Sequence, residues 1–127
     1  QRWDGARAGQ DGGMDDPVLA AVLSALAGAR RDDRVAVVGA GELVARALLA
    51  ASATDALVDN DARVVVAGAA YDVPTALTQL APGGRLVAVA ADAAAAARVA
   101  TAGGLELRYV VPVDGRVAWA AVRPALP

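Results

Sequence analysis

Ala81-Pro82-Gly83-Gly84-Arg85-Leu86-Val87 is the stretch on which the reading of this chain turns. A proline followed by two glycines cannot continue a helix and allows a tight reversal of the backbone. The residues that follow, Arg85 to Ala90, form an apolar run with β-branched members, which reads as a buried strand. Ahead of the reversal, Val73-Pro74 opens a helix to about Leu80, and Arg63 to Gly68 is another buried strand. Further upstream Val35-Ala36-Val37-Val38 is a third, ended by the glycine turn Gly39-Ala40-Gly41. Glu42 through Ala51 places Leu43, Val44, Ala47, Leu48 and Ala51 at helical spacing.

The two ends complete the pattern. Asp16 with Pro17 behind it is a helix start, and Val18, Leu19, Val22, Leu23 and Leu26 fall on one face of a helix over about 17–29. Asp92 caps an alanine-rich helix to about Ala102, which Gly103-Gly104 ends. Residues 105–113 and 116–122 read as an antiparallel hairpin joined through Pro112-Val113-Asp114-Gly115. Strands alternating with helices imply α/β architecture: a mostly parallel sheet of about five strands, covered on both faces and closed by an antiparallel pair. Residues 1–14 hold four glycines without apolar periodicity and form a lead-in segment; residues 15–127 form a single domain. The opening Gln1, in place of Met, suggests processing or a piece of a longer protein.

Composition removes whole classes of chemistry. The 127 residues contain neither Cys nor His, so thiolate nucleophiles, the usual general base and the commonest metal ligands are absent, and no metal is expected. All 12 basic residues are Arg, which excludes lysine Schiff bases and a P-loop. A net charge of −2 without a basic run, no Phe and only two each of Trp and Tyr argue against nucleic acid as a partner. No apolar stretch reaches the roughly 18 to 20 residues that span a bilayer. No basic segment followed by an apolar one opens the chain, so a cytoplasmic protein is expected. Much of the 57% hydrophobic content is alanine, which predicts a thinly packed core.

Taken together, residues 15–26 (DDPVLAAVLSAL), 32–41 (DDRVAVVGAG) and 62–89 (ARVVVAGAAYDVPTALTQLAPGGRLVAV) resemble a class I S-adenosylmethionine-dependent methyltransferase. The likeness is greatest to the protein-L-isoaspartate O-methyltransferase family and covers about residues 15–124. It implies a Rossmann-like methyltransferase fold, here truncated. In that family the glycine loop after the first strand lies against the methionine part of the cofactor, and an acidic residue ending a second strand holds the ribose hydroxyls. By resemblance the cofactor-binding candidates are Gly39, Gly41 and Asp59, with no catalytic side chain assigned.

Three departures bear on activity. Leu43 occupies the family's third glycine position, and Glu42 brings a carboxylate to the mouth of the loop, where it would repel that of the cofactor; the alternative is that Gly39-Ala40-Gly41 is a plain strand-to-helix turn with Glu42 at a favourable helix N-terminus. Only about 11 residues, 52–62, lie between the helix ending near Ala51 and the strand at Arg63. A parallel crossover needs a dozen or more, and Asn60-Asp61 is too short to carry the chain across the sheet, so the adenosine section reads as deleted. Asp59 is then either a loop carboxylate or the ribose ligand. Asp16 stands where the family has a hydroxylated residue, as a helix cap or as a substrate contact. Tyr71 and Asp72 follow the second strand, where a turn role explains them.

Deletion of two strands would leave Val35–Val38 as an apolar sheet edge, and such an edge must be covered. The expected function is therefore a non-catalytic methyltransferase-like module without a cofactor, working in assembly or partner binding, with a protein partner or a second copy of the chain at that edge. The alternative is an S-adenosylmethionine-dependent carboxyl O-methyltransferase of the isoaspartyl type. A dinucleotide-binding domain is a distant third.

Overall fold

The computed structural model describes residues 17–28, 33–39, 58, 60–68 and 73–125. Their elements run α1 (Pro17–Ala27), β1 (Val35–Val38), β2 (Ala62–Ala67), α2 (Val73–Gln79), β3 (Leu80–Ala90), α3 (Ala93–Ala102), β4 (Glu106–Val113) and β5 (Arg116–Val122). The strands form one five-stranded open sheet in the order β1-β2-β3-β5-β4. β1, β2 and β3 are parallel, and β5 runs antiparallel to both β3 and β4. The helix expected over 42–51 and the lead-in 1–14 lie outside the described residues.

Alternation along the strands divides the core into two layers. Val64, Val66, Val87, Val89, Ala118 and Ala120 pack against Leu19, Ala20, Leu23 and Ala27 of α1. Val65, Ala67, Leu86, Ala88, Val117, Trp119 and Ala121 face the opposite side, with Val73 and Ala76 of α2 and Ala96 and Ala100 of α3. Alanine contributes 12 of the 27 buried apolar residues described, which bears out the sparing use of large side chains. Trp119, 1% exposed, supplies the bulk that alanines on its own layer do not. Its Nε1 is buried without a hydrogen-bond partner, so the indole is kept for its volume and not for its donor.

Helix and hairpin ends follow the sequence closely. Gly28, at φ 57, stops α1 two residues earlier than expected, and its N–H donates to the Ser24 carbonyl at 3.2 Å. Asp92 caps α3 by accepting from the Ala95 N–H at 2.8 Å. The hairpin strands meet where expected, on either side of Asp114 and Gly115, both at positive φ, the signature of the turn that matches strand twist.

The Pro-Gly-Gly stretch differs from expectation in one respect. It lies within β3, not ahead of it: Ala62 pairs with Leu80 and Val64 with Arg85, so the intervening residues bulge out of the ladder. Pro82 lacks a ladder donor and Gly83 takes a left-handed φ of 78, which is why the extra residues sit here. The bulge is pinned from the far side, since the Gly83 N–H donates to the Arg123 carbonyl and the Arg123 N–H to the Gly84 carbonyl, each at 2.9 Å. A Cβ on Gly84 would stand 2.8 Å from the Ala81 oxygen and 3.0 Å from the Arg63 oxygen, whereas one on Gly83 would meet only the Ala125 Cβ at 3.9 Å.

Two stability tests follow from these packing distances. Gly83→Ala adds only left-handed strain and is expected to cost about 1 kcal/mol in urea unfolding. Gly84→Ala must move backbone and should cost about 3 kcal/mol; equal losses in the two variants would contradict the tight approach. Trp119→Ala is expected to remove roughly 3–5 kcal/mol. Trp119→Phe, which abolishes an unsatisfied donor while keeping an aromatic ring, should cost less than half as much.

Candidate functional site

In open α/β sheets ligands gather at the carboxyl ends of the parallel strands. Here that rim is formed by Gly39 after β1, Gly68 after β2, Ala91-Asp92 after β3 and the Asp114-Gly115 turn. Gly39 is exposed and holds φ 70, a backbone state that disfavours side chains. The glycine there is thus required by the turn itself, whether or not a cofactor lies against it. The Gly68 N–H donates to the Val38 carbonyl at 2.8 Å, which ties the ends of β1 and β2 together. Asp92 is engaged as the cap of α3. No group of three metal-ligating side chains occurs among the described residues, and none of their polar or charged side chains is buried.

Of the cofactor candidates, Gly39 is the one the structure places. Gly41 and Asp59 lie outside the described residues, as do Glu42, Leu43, Asp16, Tyr71 and Asp72. The surroundings of Asp59 are nevertheless informative. The Val58 N–H donates to the Val35 carbonyl at 2.9 Å, while the Arg63 and Val64 N–H groups converge on the Arg34 carbonyl. Successive carbonyls of a strand point to opposite sides, so Val58 sits on the outer edge of β1 and β2 on the inner edge. Val58 packs into the α2/α3 layer, and its N–H occupies one acceptor of an edge that is otherwise all apolar.

This geometry corrects one expectation. The short link before β2 suffices, because Asn60 and Asp61 lie at the N-terminal base of β1 and the way from Val58 to β2 passes around that base and not across a face of the sheet. Asp61 adopts φ 50 at that corner. Its carboxylate pairs with Arg34 Nη2 at 2.6 Å, and its carbonyl accepts from Arg34 Nε at 3.1 Å. Both side chains are more than half exposed, so the ion pair adds at most about 1 kcal/mol. Val58 stands level with Val35, and Gly39 closes β1 at its other end. At about 3.3 Å per residue the two ends are roughly 13 Å apart.

No protein-family model matches this sequence, and no curated protein matches it. Solved structures do. The chain superposes with a TM-score of 0.67 at 13% identity on the 1,6-didemethyltoxoflavin-N1-methyltransferase of Burkholderia thailandensis, a structure holding S-adenosylhomocysteine, over 95% of this chain and 83% of that one. On precorrin-6y C5,15-methyltransferase of Geobacter metallireducens the TM-score is 0.64 at 13% identity, over 85% and 88%. An O-methyltransferase family protein from B. thailandensis gives 0.57 at 12%, with 94% of this chain but 60% of that one covered. The chain has the fold of class I S-adenosylmethionine-dependent methyltransferases. None of these neighbours is an isoaspartyl enzyme, so the methyltransferase fold is shared and the narrower family likeness gains no support.

The Val58 contact was missed by sequence reasoning, since a single backbone hydrogen bond leaves no residue signature. Val58→Pro, which removes that N–H, is expected to cost about 1–3 kcal/mol in urea unfolding and to promote concentration-dependent association in sedimentation velocity. Val58→Thr keeps the donor and should do neither.

Proposed function

We propose that this chain is a methyltransferase-fold module that does not itself transfer methyl groups and works in assembly or partner binding, with a protein partner or a second copy pairing along the outer edge of β1. The observation that carries this reading is the place of Val58 at the base of β1. Only residues 40–61 separate Gly39 from Ala62, and their last stretch is used in rounding that base. Two further parallel strands with their crossovers do not fit into what is left, because each crossover alone takes about a dozen residues. The ribose of a cofactor at Gly39 would need a carboxylate at the upper end of β1, and among the described residues none stands beside β1 there. The apolar, uncharged Val35–Val38 edge is the kind of strand that pairs with another chain.

A second reading is favoured by Gly39: an S-adenosylmethionine-dependent methyltransferase acting on a carboxylate, as isoaspartyl enzymes do. Its left-handed turn leaves open backbone at the rim where methyltransferases take the cofactor. Binding and proximity would then be the main contributions of the protein, since the sulfonium already carries a good leaving group.

Calorimetric titration with S-adenosylmethionine and S-adenosylhomocysteine separates the two. The first reading expects no binding tighter than about 1 mM, roughly −4 kcal/mol, together with a mass in solution that rises with protein concentration or on adding the partner. Micromolar binding that is lost in Gly39→Val would overturn it in favour of the second.

A further inference from the structure

A cavity of about 490 Å³ opens at the end of the sheet opposite Gly39, beneath the C-terminus of α1. Gly28, Asp33, Arg63, Gly83 and Arg85 line it, with Val64 and Val122 as its apolar part. It lies at the N-terminal ends of β2 and β3, so it is separate from the rim at which methyltransferase folds hold their cofactor.

Charge is distributed unevenly among the arginines at this end. Arg34 is paired with Asp61, and Arg123 Nη1 donates to the Leu80 carbonyl at 2.6 Å. Arg85 is half committed: Nη1 donates to the carbonyls of Leu26 at 2.9 Å and Ala27 at 3.4 Å, while Nε and Nη2 have no described partner. Those carbonyls end a helix, where a cation is favoured, and they fix the guanidinium at the cavity wall. The fit depends on Gly28, because a Cβ there would come 2.9 Å from Arg85 Nη1. The Arg63 side chain is exposed and makes no hydrogen bond or ion pair with the described residues.

A guanidinium presents parallel N–H donors matched to two oxygens of one oxyanion. Among the described lining residues two such groups stand with one carboxylate, Asp33, an excess of one positive charge that suits a single anionic group and disfavours a polyanion. We propose that this cavity is a second ligand site that takes the phosphate or carboxylate group of a small organic molecule between Arg63 and Arg85.

The test is a titration of the ¹⁵N-labelled chain with inorganic phosphate and, separately, with acetate, against chloride at constant ionic strength. The expected result is saturable movement of the Gly28 and Gly83 amide signals with a millimolar dissociation constant for at least one anion, the tighter one identifying the group. Arg63→Gln should weaken that binding at least fivefold while leaving the urea midpoint unchanged, since the Arg63 side chain is bonded to none of the described residues and the backbone N–H is kept. The proposal is overturned if neither anion saturates these signals, if the movement is spread over the whole surface, or if Arg63→Gln binds as well as the parent chain.

Discussion

The backbone contact at Gly84 joins the two halves of this molecule. On one side the Gly84 Cα lies against the Ala81 and Arg63 carbonyls, which sets how β3 seats beside β2 after the bulge. On the other, Gly84 accepts from Arg123 just past the end of β5, so the antiparallel hairpin is registered against the same residue. A side chain there would push the parallel and antiparallel halves apart together. The alternation of Arg85 to Ala90 between the α1 layer and the α2/α3 layer follows from that register, because a slip of one residue would exchange the two faces.

Once the register is set, small side chains let the layers approach closely. Ala88, Ala96, Ala100 and Ala121 share a layer with Trp119, so the indole occupies volume that larger aliphatic residues fill in richer cores. Concentrating bulk in one residue has a cost. The buried Nε1 forgoes a hydrogen bond to water, and the core depends on a single side chain more than an evenly packed one does.

Much of the fold was legible because its signals are local. Pro17, Gly28, Asp92 and the Asp114-Gly115 pair mark element ends through backbone conformation and capping, which act within a few residues. The apolar runs at Val35, Val64 and Leu86 mark buried strands in the same way. What the sequence concealed is non-local. The bulge inside β3 depends on Arg123, and the passage around the base of β1 is marked by contacts of Val58 with Val35 and of Asp61 with Arg34. For the site, Gly39 was legible as a turn glycine, but a turn and a cofactor loop require the same residue. The Arg63/Arg85 cavity had no signature at all, since those arginines meet only when β2 and β3 pair.

The two edges of the sheet have been treated differently, and the difference bears on how the molecule meets others. Along β4, Pro112 removes a donor, the register breaks between Leu107 and Tyr109, and Glu106 pairs with Arg108 at 2.9 Å on the exposed surface. Proline, bulge and charge are each devices that stop a strand from recruiting another. β1 carries none of them: it is four apolar residues, with Val58 bonded near its base. Among the described residues β4 is thus blunted by three devices and β1 by the Val58 hydrogen bond alone, an asymmetry that supports the proposed reading in which a partner would pair along β1.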